Sequence, residues 1–555
     1  MNRLLISVLL LGLALTLQAA PITYQGQLEN SSGPYTGPVP MLFTLYADPE
    51  VGEPVAMFDA GSVNVVGGLF KVDLEFGGIF DGRVLWLEIE VDGSTLNQRQ
   101  RIGAVPQAHH AATTPAYCQS GGPLIGMRDD GVPLCGLEGV VSISTSEEHA
   151  CAALDDGSVW CWGSTSGGRL GNGESSSMEG GPYGGGVRVR VDDNGSDGGL
   201  LANVVQITTG RAFSCGRDEG GQVWCWGQNG RGQLGNGGIG TDQPRAVRAR
   251  LSNGNSLDDA IHVDAGERHV CAVRDNGTLW CWGGNWYGQL GIGSNEDQSR
   301  AAQVIDGGGL PLTGMVGVST GIDHSCAFDN DGHAWCWGYG SSGQLGNGKS
   351  GTDAGSFVAT QVLAAEDQSL DRVTGIAAQA DSTCALIEPG AEGRIYCWGS
   401  AGSGVLGNGE TSGSRLFPVE VRIDDQGGDG GPLLGMRHIA QITLGSPSAQ
   451  HLCAVRDEGS VWCWGRGSDG QLGDGETSQR TRAVQARVDR AGRDGGALSG
   501  ISRVSVGRYQ SCAHSDSGKA WCWGRNESGS LGLGWISYGR FPRAMPITRY
   551  VDPEG

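Results

Sequence analysis

Short runs alternating apolar and polar residues, punctuated by glycine turns, organise most of this chain. From Ile261 the run IHVDAG ends at Gly266; ERHVCAVR follows, then Asp275, Asn276 and Gly277, then TLWCWGG. Two β-like runs separated by an Asp/Asn-Gly turn predict an antiparallel hairpin. Cys271 and Cys281 are symmetric about that turn, so they should face each other across it. A cross-strand separation of about 4.5 Å is close to disulfide geometry. Side chains alternate along a strand, so Trp280 and Trp282 share one face and Cys281 takes the other. A strand apolar on both faces belongs between two packed neighbours.

The unit returns seven times. CAALDDGSVWCWG starts at Cys151, CGRDEGGQVWCWG at Cys215, CAVRDNGTLWCWG at Cys271 and CAFDNDGHAWCWG at Cys326. CALIEPGAEGRIYCWG follows at Cys384, CAVRDEGSVWCWG at Cys453 and CAHSDSGKAWCWG at Cys512. The expected disulfides are Cys151–Cys161, Cys215–Cys225, Cys271–Cys281, Cys326–Cys336, Cys384–Cys397, Cys453–Cys463 and Cys512–Cys522. Copy five carries a longer turn, EPGAEG, while keeping both cysteines, as pairing across a hairpin allows. After each CWG comes a loop such as GNWYGQLGIG at Gly284. Its leucine (Leu170, Leu234, Leu290, Leu345, Leu406, Leu472, Leu531) is read as a plug into the core. A fourth strand follows, such as RAVRARL from Arg245 or RAVQARV from Arg482. Four strands per unit and seven units predict an all-β fold, a seven-bladed β-propeller over 140–555. The expected repeats are 140–203, 204–260, 261–314, 315–372, 373–438, 439–500 and 501–555.

The pattern G-x-x-H-x-C-A-x-x-x-x-G-x-x-W-C-W-G-x-x-x-x-G-Q-L-G-x-G resembles the repeat of the regulator of chromosome condensation family. The resemblance implies a seven-bladed propeller that binds other proteins through loops on its faces. It also implies guanine nucleotide exchange on a small nuclear GTPase, the activity of the family's namesake. Paired cysteines and an export signal set this chain apart from that activity.

Residues 22–110 lack the repeat. MLFTLYA from Met41, LFKVDLE from Leu69 and RVLWLEIEVD from Arg83 alternate as half-buried strands do, and predict a small β-sandwich. ITYQGQLENSSGPYTG and RQRIGAVPQAHHA resemble a β module found before repeats in bacterial surface and secreted proteins. Residues 111–139 read as a connector, with Cys118–Cys135 the expected staple and pairing to another chain the alternative. The start, MNRLLISVLLLGLALTLQAA, has one early arginine, an apolar stretch and small residues. It reads as a secretory signal over 1–19, too short to span a membrane. The expected location is secreted, periplasmic or cell-surface, where all 16 cysteines would pair.

Composition narrows function further. A net charge of −22 with no basic stripe argues against nucleic acid. The chain has 99 glycines, and those of the repeats sit at fixed places and mark turns, not disorder. No nucleophile elbow, phosphate loop or zinc-protease helix is present, so catalytic residues, metal and cofactor are all read as none. His149, His269, His324 and His451 recur one per blade, which spaces them apart and favours hydrogen bonding over metal ligation. The paired tryptophans recur equally and are read as core. VDDNGSDGG at Val191, IDDQGGDGG at Ile423 and VDRAGRDGG at Val488 echo a calcium loop but lack its closing glutamate. They are read as acidic surface turns.

Binding candidates are the positions where the copies disagree. Before each histidine or its replacement stand Glu147 and Glu148, Arg211 and Phe213, Glu267 and Arg268, Ile322 and Asp323, Arg508 and Tyr509. Trp286, Tyr287 and Trp535 break the pattern in later loops. Variable charged and aromatic loops on a rigid ring suit partner recognition. The expectation is a monomeric, non-catalytic scaffold for an unknown protein or cell-surface ligand. The alternatives are a lyase or hydrolase at the channel mouth, and nucleotide exchange.

Overall fold

Turn chemistry sets each hairpin, and the hairpins set the register. Asp275, Asn276 and Gly277 join His269–Arg274 to Leu279–Gly283, which places Cys271 opposite Cys281 and Val270 opposite Trp282. The same register recurs in all seven copies. Each cysteine pair is joined, with Cα atoms 4.0–4.1 Å apart. The computed structural model describes most of residues 22–102, then 124–127, 133–175 and 186–550 apart from 194, 388–392, 426–427, 443–450, 491–492, 534–536 and 538. The signal segment 1–19, Cys118, most of the turn EPGAEG and Trp535 lie outside the described residues.

The chain divides into two units at residues 133 and 134. In the first, strands Gly37–Tyr46, Pro54–Val65 and Leu85–Val91 form a sheet with the short strands Ser94–Thr95 and Gln100–Ile102. A separate pair, Ile22–Gln27 with Leu69–Leu74, adds Val72 and Leu74 to the core of Phe43, Leu45, Leu87 and Ile89.

The second unit is a ring of seven antiparallel blades, each ordered from an inner to an outer strand. The third blade is Ala260–Ala265, His269–Arg274, Leu279–Gly283 and Gln298–Gln303. Every inner strand carries a bulge at its start, such as Ala260/His262 and Met436/His438. The bulge turns the first residue into the core and leaves the second outside. The inner strands of blades three and six begin at Ala260 and Met436, ahead of the expected repeat starts at 261 and 439.

Adjacent blades meet cysteine face to tryptophan face. Cys271, Cys281 and the plug Leu290 of blade three pack with Trp337 of blade four in one apolar cluster. In each blade the second indole of the motif is fully buried and donates its Nε1–H to a loop carbonyl of the preceding blade: Trp282 to Gln233 at 3.0 Å, Trp337 to Gln289 at 2.9 Å, Trp162 to Ser530 at 2.9 Å. The first indole is only half-buried, contrary to the reading of both as core. It sits toward the hairpin turn, as in Trp280, whose Nε1–H reaches Thr278 Oγ1 at 3.0 Å.

The histidines join the same contacts. His269 Nε2 lies 2.8 Å from Ser325 Oγ, which donates to the Gln289 carbonyl at 2.8 Å. His149 pairs with Ser214, His324 with Thr383 and His451 with Ser511, each in the next blade, at 2.7–2.9 Å. Since the hydroxyl proton goes to the carbonyl, the histidine is the donor and carries its proton on Nε2. Where the histidine is replaced, the residue aligned with its facing hydroxyl is replaced too: Phe213 goes with Val270 in one apolar cluster, and by alignment Ser382 goes with Leu452 and Gln510 with Ala150. Burial pushes His269, His324 and His451 down to about 3, so all three are neutral.

The ring closes between blades seven and one. Ser505 Oγ accepts from the Thr145 backbone N–H at 3.2 Å, and strand Thr548–Tyr550 pairs with Pro133–Gly136.

Candidate functional site

The loops that precede the second strands of blades seven, one, two and three come together. Their charged residues form an ion-paired belt. Arg508 closes on Glu147, Arg211 lies 3.4 Å from Glu147 and 3.0 Å from Glu267, and Arg268 lies 3.3 Å from Glu267. The belt thus runs through blades seven, one, two and three. Glu148 turns outward to Arg169 at 2.6 Å, and Tyr509 lies under the guanidinium groups of Arg508 and Arg525. Phe213 is a correction to the sequence reading. It is fully buried, because it fills the slot that histidine takes in other blades and packs against the core of blades two and three.

Past the belt the face changes character. A cavity of about 230 Å³ is lined by Glu267 and Arg268, by Trp286 and Tyr287, and by Arg231 and Asp323. Trp286 and Tyr287 sit in the loop after the third strand of blade three and are 63% and 42% exposed. Arg231 stacks on Trp286 at 4.5 Å and pairs with Asp297 at 3.1 Å. Tyr287 leans on Tyr339 with ring centroids 4.8 Å apart. Burial, with the Glu267 carboxylate beside it, pushes Asp323 up to about 6, although Arg268 opposes the shift. Burial also raises Asp381, the equivalent residue of blade five.

Of the sequence candidates, the structure brings together Glu147, Arg211, Glu267, Arg268 and Arg508 in the belt, and Glu267, Arg268, Asp323, Trp286 and Tyr287 around the cavity. Tyr509 stays apart from the cavity. Three participants were missed: Arg231, Asp297 and Asp381. Asp381 precedes Ser382 in the copy that lost its histidine, so a search keyed on histidine passes over it. Arg231 is legible in principle, because it aligns with Tyr287 in the loop before the plug leucine.

The Asp/Gly insertions are hairpins, Arg190–Asp193 with Ser196–Leu200, and likewise Arg422–Asp425 with Gly428–Pro432 and Arg487–Arg490 with Arg493–Ala497. The last aspartate of each is already engaged. Asp429 accepts from Arg422 at 2.7 Å and from the Gly431 N–H at 3.0 Å, which holds its carboxyl below the usual range. Asp494 does the same with Arg487 at 2.8 Å and Gly496 at 2.9 Å. One further grouping of ligand-type side chains, Asp329, Asp331 and His333, occupies the hairpin turn of blade four. There Asp329 already accepts from the backbone N–H groups of Asp331 and His333 and from Trp335 Nε1, so it braces the turn. Among the described residues no helix is long and apolar enough to cross a membrane.

Fold and site together define a β-propeller with a charged, aromatic loop face. Its blades carry a known repeat. Residues 220–273, 276–328 and 331–386 match the regulator of chromosome condensation (RCC1) repeat, and 140–169, 204–233, 260–289, 315–344 and 441–471 match a second description of it. Residues 23–100 match a domain of unknown function, DUF8740. The ultraviolet-B receptor UVR8 of Arabidopsis thaliana is 29% identical over 62% of this chain and 70% of its own length. The human E3 ubiquitin-protein ligase HERC2 is also 29% identical, over 61% of this chain but only 6% of its own length. Among solved structures, human WBSCR16 superposes with a TM-score of 0.54 at 20% identity, covering 71% of this chain and 95% of that one. Yeast Prp20p gives 0.52 at 18%, covering 74% and 88%. These structures share the propeller fold.

Proposed function

We propose that this chain is an exported, monomeric, non-catalytic propeller that binds a protein or cell-surface ligand through the loop face of blades two to four. One observation carries the reading: Trp286 and Tyr287 stand exposed on a disulfide-stapled ring, beside a cavity and an ion-paired belt. Exposed aromatics beside arginine are the residue types that dominate binding energy at interfaces. They cost little entropy when the scaffold beneath them is rigid. Each disulfide closes a loop of about ten residues and contributes roughly 2.5–3 kcal/mol on the chain-entropy view. The export signal over 1–19 and the stapled hairpins both suit an oxidising compartment.

The test is site-specific photo-crosslinking in the producing cell. A photoreactive residue at position 286 should trap one defined partner, and the same residue at Asn276, on an exposed hairpin turn, should not. Equal trapping at both positions, or none at 286, would remove the reading.

A further inference from the structure

We propose that the cavity beside Trp286 is a subsite for one cationic side chain, a lysine or arginine presented by the partner, with Asp323 as counter-ion and Trp286 and Tyr287 as walls. The proposal rests on the reading that this face binds a protein.

Charge accounting within the cavity leads to it. Arg231 is matched by Asp297 at 3.1 Å. Glu267 is shared between Arg211 at 3.0 Å and Arg268 at 3.3 Å. Asp323 has no cation at ion-pair distance among the described residues; its nearest donor is the Gln289 side-chain amide at 3.4 Å. Asp323 is therefore the cavity carboxylate without a close cation, and Arg268, held 3.3 Å from Glu267, acts on it only from beyond ion-pair distance. Its environment disfavours its charge, through burial and the neighbouring Glu267 and Asp381, which Arg268 only partly offsets, and an entering cation would reverse that balance.

The walls suit the same ligand. Indole and phenol faces attract ammonium and guanidinium groups. Trp286 already holds one guanidinium, that of Arg231, 4.5 Å from its ring, and still leaves 63% of its surface exposed. A volume of about 230 Å³ suits one long side chain and not a folded element. The net charge of −22 would draw a basic partner toward the ring before contact.

The full chain labelled with 5-fluorotryptophan reports the site, with the Trp286 signal assigned by its loss in W286F. Titration with N-acetyl-lysine amide should shift that signal, and N-acetyl-norleucine amide, which lacks the charge, should not. D323N should weaken the lysine response about tenfold or more, while the other fluorotryptophan signals show that the fold is intact. Equal shifts from both amides, or an undiminished response in D323N, would overturn the proposal. Crosslinking at position 286 that persists in D323N would separate the two claims: the face would still bind a protein, but not through this cation site.

Discussion

Ser325 shows how one hydroxyl joins two blades. It accepts from His269 Nε2 and donates to the Gln289 carbonyl, which also accepts from Trp337. S325V removes the acceptor and leaves a buried histidine N–H unpaired, at a cost of about 1–3 kcal/mol. The carbonyl keeps its indole donor, so that side of the contact survives. H269F/S325V reproduces the Phe213 and Val270 pair of the preceding interface and should regain most of the loss. Urea unfolding of the three proteins checks this, and a double variant no better than S325V would show the pairing to be incidental. The recurrence of the histidines was legible in the chain. Their partners were harder to read, because His269 and Ser325 are 56 residues apart and meet only when two repeats stack.

At the scale of the element, the loop before each outer strand depends on one backbone conformation. Gly291 has φ +68°, and a Cβ there would lie 2.8 Å from the Trp337 indole and 2.9 Å from Val304. Both the positive φ and the close ring oppose any side chain. G291A is expected to cost about 2–4 kcal/mol, read as a drop in melting temperature well beyond that of the exposed-turn variant G254A. The hairpins, their register and the plug leucines were all readable, because each is a local pattern seen seven times. The added hairpins were read only as turns. Their pairing with the next blade, Val191 beside Ala246, Ile423 beside Ala483 and Val488 beside Ala544, is parallel and non-local, and no short-range pattern encodes it.

For the whole molecule, the buried histidines make stability depend on pH. His269, His324 and His451 are held near 3 by burial, and His149 is also well below its ordinary value. In the unfolded chain each titrates near 6.5, so below that pH the unfolded state binds protons that the folded state refuses. Their stabilising contribution is intact above about pH 6.5 and is lost as pH falls toward 3, by about 1.4 kcal/mol per pH unit for each histidine. Melting temperature should hold from pH 8 to 7 and fall steeply from 6 to 4.5, and H269F/S325V should flatten that slope. An unchanged slope in the double variant would mean that His269 is not held neutral by the ring.

By itself the sequence determined the repeat, the hairpin register, the seven cysteine pairs of the repeats and the all-β propeller, because these follow from periodicity and turn chemistry within about 60 residues. It also pointed to most of the variable face. Only the tertiary structure decided which variable residues act together. It buried Phe213, spent most of the belt charges on one another, and left Asp323 without a close ion-pair partner in the cavity that exposed Trp286 and Tyr287 also line. The physical reason is that charge balance and exposure belong to the neighbourhood that ring closure creates, and side chains from different blades become neighbours only there.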